Sequence, residues 1–133
     1  NRPFLPRKEK EPHLFYAKLI RDADKLDIWK VVTDYYNRRN LKKNGAIELG
    51  LPDSPGFSQE VLQDLKSKKI VDINHVRNLN DFKLLQIGWV FDINFKPTLR
   101  CIKKRRYIEM IRCVLPESKE LDSIFTYINK FCF

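Results

Sequence analysis

No stretch of the chain approaches the roughly 18 uninterrupted apolar residues of a membrane-spanning helix, so no membrane-embedded function is expected. Cysteine is scarce. Cys101, Cys113 and Cys132 are odd in number and widely spaced, and without a CxxC pair they give no zinc or dithiol motif. The first two fall in one helical pattern and the third near the end of another, so all three read as small buried or half-buried hydrophobes. No charged-then-apolar leader is read, and the expected compartment is the reducing cytoplasm. Internal repeats and low-complexity tracts are absent, which excludes a repeat array. Methionine occurs once, at Met110, and the chain opens Asn1-Arg2-Pro3. The expectation is therefore a processed chain or part of a longer protein.

What is present describes a foldable unit. At 133 residues one domain is expected, since about 150 residues per domain is the usual prior. Apolar residues make up 43%, charged residues 32% and aromatics 12%, enough to build a core and unlike a disordered tail. Lys plus Arg number 26 against 17 Asp plus Glu, for a net charge of +9, so an anionic partner has to be considered.

Periodicity gives an all-helical reading in a single unit, 1–133. Pro3, Pro6 and Pro12 make residues 1–12 an extended arm, with Pro12 suited to the first turn of a helix. A long helix is expected over 13–41, a loop over 42–57 where Gly and Pro cluster, and helices through the remainder, 58–133. Ser58 is the expected N-cap of a short helix ending near Lys69. Leu79 to Ile93 is apolar on nearly every side of a helical wheel, as in a helix surrounded by protein. A helix over 98–114 and a last one over 117–131 complete the set, the latter with Leu121, Ile124, Phe125 and Ile128 in one arc.

The first helix carries the informative feature. At about 100° per residue, Tyr16, Ile20, Ala23, Val31 and Tyr35 share one arc, flanked by Leu19, Leu26 and Ile28, and this arc is expected to face the core. Asp24 and Asp27 project into its middle, while Arg21 and Lys25 point toward the edge and the polar side. A buried carboxylate needs a partner: a basic side chain, backbone donors or a metal ion. The ordinary solution is an Arg or Lys from another helix. The sharper one is a divalent metal, for which a carboxylate on a rigid helix wall is a standard ligand.

Residues 19–29 read LIRDADKLDIW. This string resembles the last motif of the HD superfamily of metal-dependent phosphohydrolases, all-helical proteins with an ordered signature of His, then adjacent His-Asp, then a closing Asp. The closing Asp lies in strings such as ADRL or ADKL, matched here by Ala23-Asp24-Lys25-Leu26. The later string 80–95, NDFKLLQIGWVFDINF, is similar to the C-terminal half of a bacterial branch of that superfamily. Together the matches span about 13–115. The resemblance implies an HD-like helical bundle incomplete on its N-terminal side, with Asp24 as a metal ligand. The only histidines are His13 and His75, and no His-Asp pair exists, so three of the four ligands would come from a missing N-terminal segment.

By the same resemblance the intact parent would hold a divalent ion (Mn, Fe, Mg or similar) and hydrolyse a small phosphate ester or nucleotide with a metal-activated water. Asp27 would orient a ligating histidine or form an ion pair, and Arg21 and Lys25 would meet substrate phosphate or simply face solvent. This chain alone is expected to bind no metal tightly and to be inactive. Trp89, Asp92 and Asn94 either line the substrate cavity or close a packed helix, and packing is the commoner role.

Two other classes compete. A nucleic-acid-binding module is suggested by Arg38-Arg39, Lys42-Lys43 and the run Lys103 to Arg106. Four consecutive helical residues spread over about 300°, however, and do not form one phosphate-tracking stripe. The other alternative is a non-catalytic structural or oligomerisation fragment, whose mark would be an exposed apolar wall around Asp24.

Overall fold

The computed structural model describes residues 12–38 and 43–133. Those residues form an all-helical fold: α1 (Pro12–Arg38), α2 (Gln59–Lys66), α3 (Leu79–Gly88), α4 (Lys96–Arg105), α5 (Tyr107–Arg112) and α6 (Lys119–Cys132), with 3-10 turns at Ile73–His75 and Trp89–Asp92. No strand occurs among them, and no helix among them is long and apolar enough to cross a membrane. Of the arm expected over 1–12, residues 1–11 lie outside the described residues and Pro12 begins α1; the expected end of the first helix at Leu41 also lies outside them.

The spine is α1, which by its 27 residues is about 40 Å long at 1.5 Å per residue. Its packed side is Leu14, Asp22, Trp29, Val32, Thr33 and Tyr36. Trp29 is fully buried, stacks on Tyr107 at 6.3 Å, and donates from its indole N–H to the Gln86 carbonyl at 3.0 Å. The Tyr36 hydroxyl donates to Oε1 of the same Gln86 at 2.7 Å. Two aromatic residues of α1, two turns apart, are thus anchored on one buried glutamine of α3.

As its sequence requires, α3 has neighbours on nearly every side, with Leu79, Leu84, Leu85 and Ile87 all buried. Its last residue is a glycine because α2 and the segment after it come close there: a Cβ on Gly88 would lie 3.1 Å from the Leu65 side chain and 3.2 Å from that of Val71. The chain then tightens into the 3-10 turn at 89–92. Asn78 caps α3 by accepting from the Asp81 N–H at 2.8 Å. The buried Asp81 carboxylate accepts in turn from the N–H groups of Ser58 (2.8 Å) and Arg77 (3.0 Å), which ties the start of α2 to α3. Ser58 therefore holds the N-cap position while its hydroxyl bonds Asp81 rather than its own helix.

The helix expected over 98–114 is two. Arg106 adopts a left-handed conformation (φ 59°) between α4 and α5. In one continuous helix Tyr107, Ile108 and Ile111 would point away from Thr98 and Ile102, whereas the break rotates all three inward, where they are buried. The same rotation leaves Cys113 exposed, against the expectation of burial. Cys132 is half-buried, and burial pushes its thiol up to about 11. Helix α6 closes the core through Leu121, Ile124, Phe125 and Ile128, as its spacing requires, and is capped by Ser118.

Candidate functional site on the first helix

The rotation of α1 is the opposite of the one expected. Tyr16, Ile20 and Val31 are 59%, 60% and 55% exposed, and Leu19 and Ile28 are exposed with them. Ala23, Asp24 and Asp27 are also exposed. Of the arc expected to be buried, Tyr35 is buried and Leu26 partly so. The expectation failed because α1 is apolar on both sides, and the charges on the side that packs are neutralised within the fold.

Arg21 and Lys25, expected at the helix edge or on substrate phosphate, face inward. They converge on Asp92, Arg21 Nη2 at 2.6 Å and Lys25 Nζ at 3.0 Å from Oδ2, with Asp92 only 2% exposed. Burial pushes the Asp92 pKa up, but the hydrogen bonds and charges of Lys25 and Arg21 outweigh it and hold the carboxyl below its ordinary range.

One residue further round, Asp22 is buried and accepts from four donor groups of the segment after the 3-10 turn. The donors are the Asn94 N–H (2.9 Å) and Nδ2 (3.0 Å), the Phe95 N–H (3.1 Å) and the Thr98 hydroxyl (2.7 Å). Trp89 tilts against Trp29 at 6.0 Å. Trp89, Asp92 and Asn94 therefore pack and clamp α1 from behind, opposite Asp24.

The two strings singled out in the sequence are thus one unit. Each supplies a carboxylate to the other: Asp22 on α1 takes neutral donors from 94–98, while Asp92 takes cations from α1. Sequence reasoning missed Asp22. Its signal was its place beside Leu14, Trp29, Val32 and Tyr36, a second apolar arc that a search for charge-free faces passes over.

The clamp presents Asp24 and Asp27 to solvent. They are i, i+3 neighbours, with Cβ atoms about 5–6 Å apart in such a pair. Neither takes part in a hydrogen bond or ion pair among the described residues. Beyond them a cleft of about 690 Å³ opens beside Val31, lined also by Tyr35, Ile47, Arg38 and Lys43. Among the described residues, the cations lining this cleft are Arg38 and Lys43.

The described residues do not by themselves fit a resident metal ion. They gather no group of three or more His, Cys, Asp or Glu side chains that could hold one, and hard divalent ions take about six ligands. His75 is far from this role: its Nδ1 lies 2.7 Å from Asp64 Oδ2, which raises its pKa, and the pair joins α2 to the 3-10 turn at 73–75. Comparison with protein-family models, with curated proteins and with solved structures finds no match.

Proposed function

We propose that this chain is the C-terminal part of an HD-type metal-dependent phosphohydrolase, in which Asp24 is one ligand of a divalent ion and the remaining ligands lie outside the chain. The reaction class is hydrolysis of phosphate esters, with nucleotides among the candidate substrates. The observation that carries the reading is the clamp. The strings 19–29 and 80–95, which separately resemble one superfamily, meet through Asp22 and Asp92 and fix α1 so that Asp24 stands at the middle of its solvent-facing side. Arg38 and Lys43, lining the cleft beside Val31, supply positive charge on that side, as a phosphate ester requires.

In this role Asp27 pairs with a cation or orients a neighbouring ligand. Arg21 and Lys25 hold the ligand helix in place through Asp92. The test uses the product of the complete reading frame: metal content by elemental analysis and hydrolysis of a panel of phosphate esters. Both are expected to be present and to be lost in Asp24→Ala. Full metal content and activity in that variant overturn the assignment.

The exposed apolar wall around Asp24 favours a second reading, a non-catalytic helical module that docks through α1. It predicts neither metal nor turnover in the complete protein.

A further inference from the structure

The outward side of α1 is an incomplete interface. From Tyr16 to Val31 it carries large apolar side chains between 42% (Ile28) and 60% (Ile20) exposed, a stripe about 22 Å long at 1.5 Å per residue. Helix α1 carries large apolar residues on two sides, and only one of them is covered. Asp24 and Asp27 interrupt the stripe at its middle, without a hydrogen bond or ion pair among the described residues.

These two facts together define what can cover the stripe. Any partner that buries Ile20 and Val31 also takes the two carboxylates between them out of water, which is costly unless it brings positive charge. The same face of a second copy does not. The antiparallel alignment that lays the stripe on itself, Tyr16 against Val31 and Leu19 against Ile28, brings the two Asp24 residues within one position of each other at its centre and sets Asp27 against Ile20, and a parallel one sets like on like. Such juxtapositions are strongly unfavourable. A straight helical stripe is matched by an amphipathic helix with apolar residues at i, i+3, i+4 and i+7.

We infer that the outward face of α1 docks an amphipathic helix whose apolar stripe is broken at its centre by Lys or Arg side chains paired to Asp24 and Asp27. The inference rests on exposure and charge and goes beyond the ligand role of Asp24. Where Asp24 binds a metal, the cationic side chain pairs with Asp27.

The test is direct binding of two synthetic helical peptides, each about four turns long with an apolar stripe, one carrying Lys at two central stripe positions and the other Glu. Fluorescence anisotropy is measured in EDTA, so the result is independent of the metal reading. The Lys peptide is expected to bind at least about tenfold more tightly, the effect of about 1.4 kcal/mol. The double charge reversal Asp24→Lys/Asp27→Lys, checked by circular dichroism to remain helical, is expected to invert that preference. Ile20→Lys should abolish binding of both.

Absence of binding at high micromolar peptide overturns the inference, as do equal affinities or a preference unchanged by the charge reversal. Sedimentation of the chain alone supplies a further arm: a dimer dissolved by Ile20→Lys would assign the face to a second copy and overturn the heterologous partner.

Discussion

The two sides of α1 carry the same kinds of residue and differ in what meets them. Inward, Arg21, Asp22 and Lys25 are charged and every one is matched by α3, its 3-10 extension or the start of α4. Outward, Asp24 and Asp27 stand among Ile20, Ile28 and Val31, all exposed. Charge content therefore does not tell which side of a helix is core. What decides is whether the rest of the chain supplies complementary groups, and the segment 89–98 supplies them for the inner side alone.

The sharpest way to break this contrast is Asp92→Ala. It takes the Asp92 carboxylate away from the Arg21 guanidinium and the Lys25 ammonium, and removing one member of a buried pair costs about 3–5 kcal/mol. Urea denaturation should show a loss near the lower end, because Arg21 is 26% exposed and regains some water. Acid should act in the same direction. Since the folded pKa of Asp92 lies below its ordinary 3.8, the pair's stabilisation is complete above that value. It is lost as pH falls through the folded pKa. A wild-type minus Asp92→Asn stability difference that fails to shrink below about pH 3.8 would contradict the pairing.

Asp22→Ala comes next. The Asn94 and Phe95 N–H groups and the Thr98 hydroxyl would lose their acceptor in a buried setting, which costs about 2–3 kcal/mol. The same denaturation experiment checks it, and a loss under about 1 kcal/mol would mean that water replaces the carboxylate.

Much of the fold was legible because it rests on local patterns. The breaks at Gly and Pro, the all-round apolarity of 79–88 and the arc Leu121, Ile124, Phe125, Ile128 each declare their own structure. Two things were not legible, and both are tertiary. The left-handed Arg106 carries no glycine to signal it and exists because Tyr107, Ile108 and Ile111 need a different phase from Ile102. The rotation of α1 was equally hidden: its two apolar arcs are rivals on a wheel, and only the partners Asp92, Asn94 and Thr98, about 70 residues away, choose between them. The candidate site inherits that reversal, since Asp24 was expected inside and stands outside.

Adjacent residues give the finest comparison. Val32 is 5% exposed and Val31 55%, so Val32→Gln places an amide in the core at a cost of about 2 kcal/mol. Val31→Gln should change stability by less than about 0.5 kcal/mol. Smallest of all should be Asp24→Ala and Asp27→Ala, each again within about 0.5 kcal/mol for this chain in isolation. Among the described residues neither carboxylate has a partner to lose, and Ala is the better helix former. A destabilisation beyond about 1 kcal/mol in either variant would mean that the outward carboxylates already hold something in the isolated chain. The difference between the two sides of α1 would then be one of degree, and the face would be partly covered before any partner arrives.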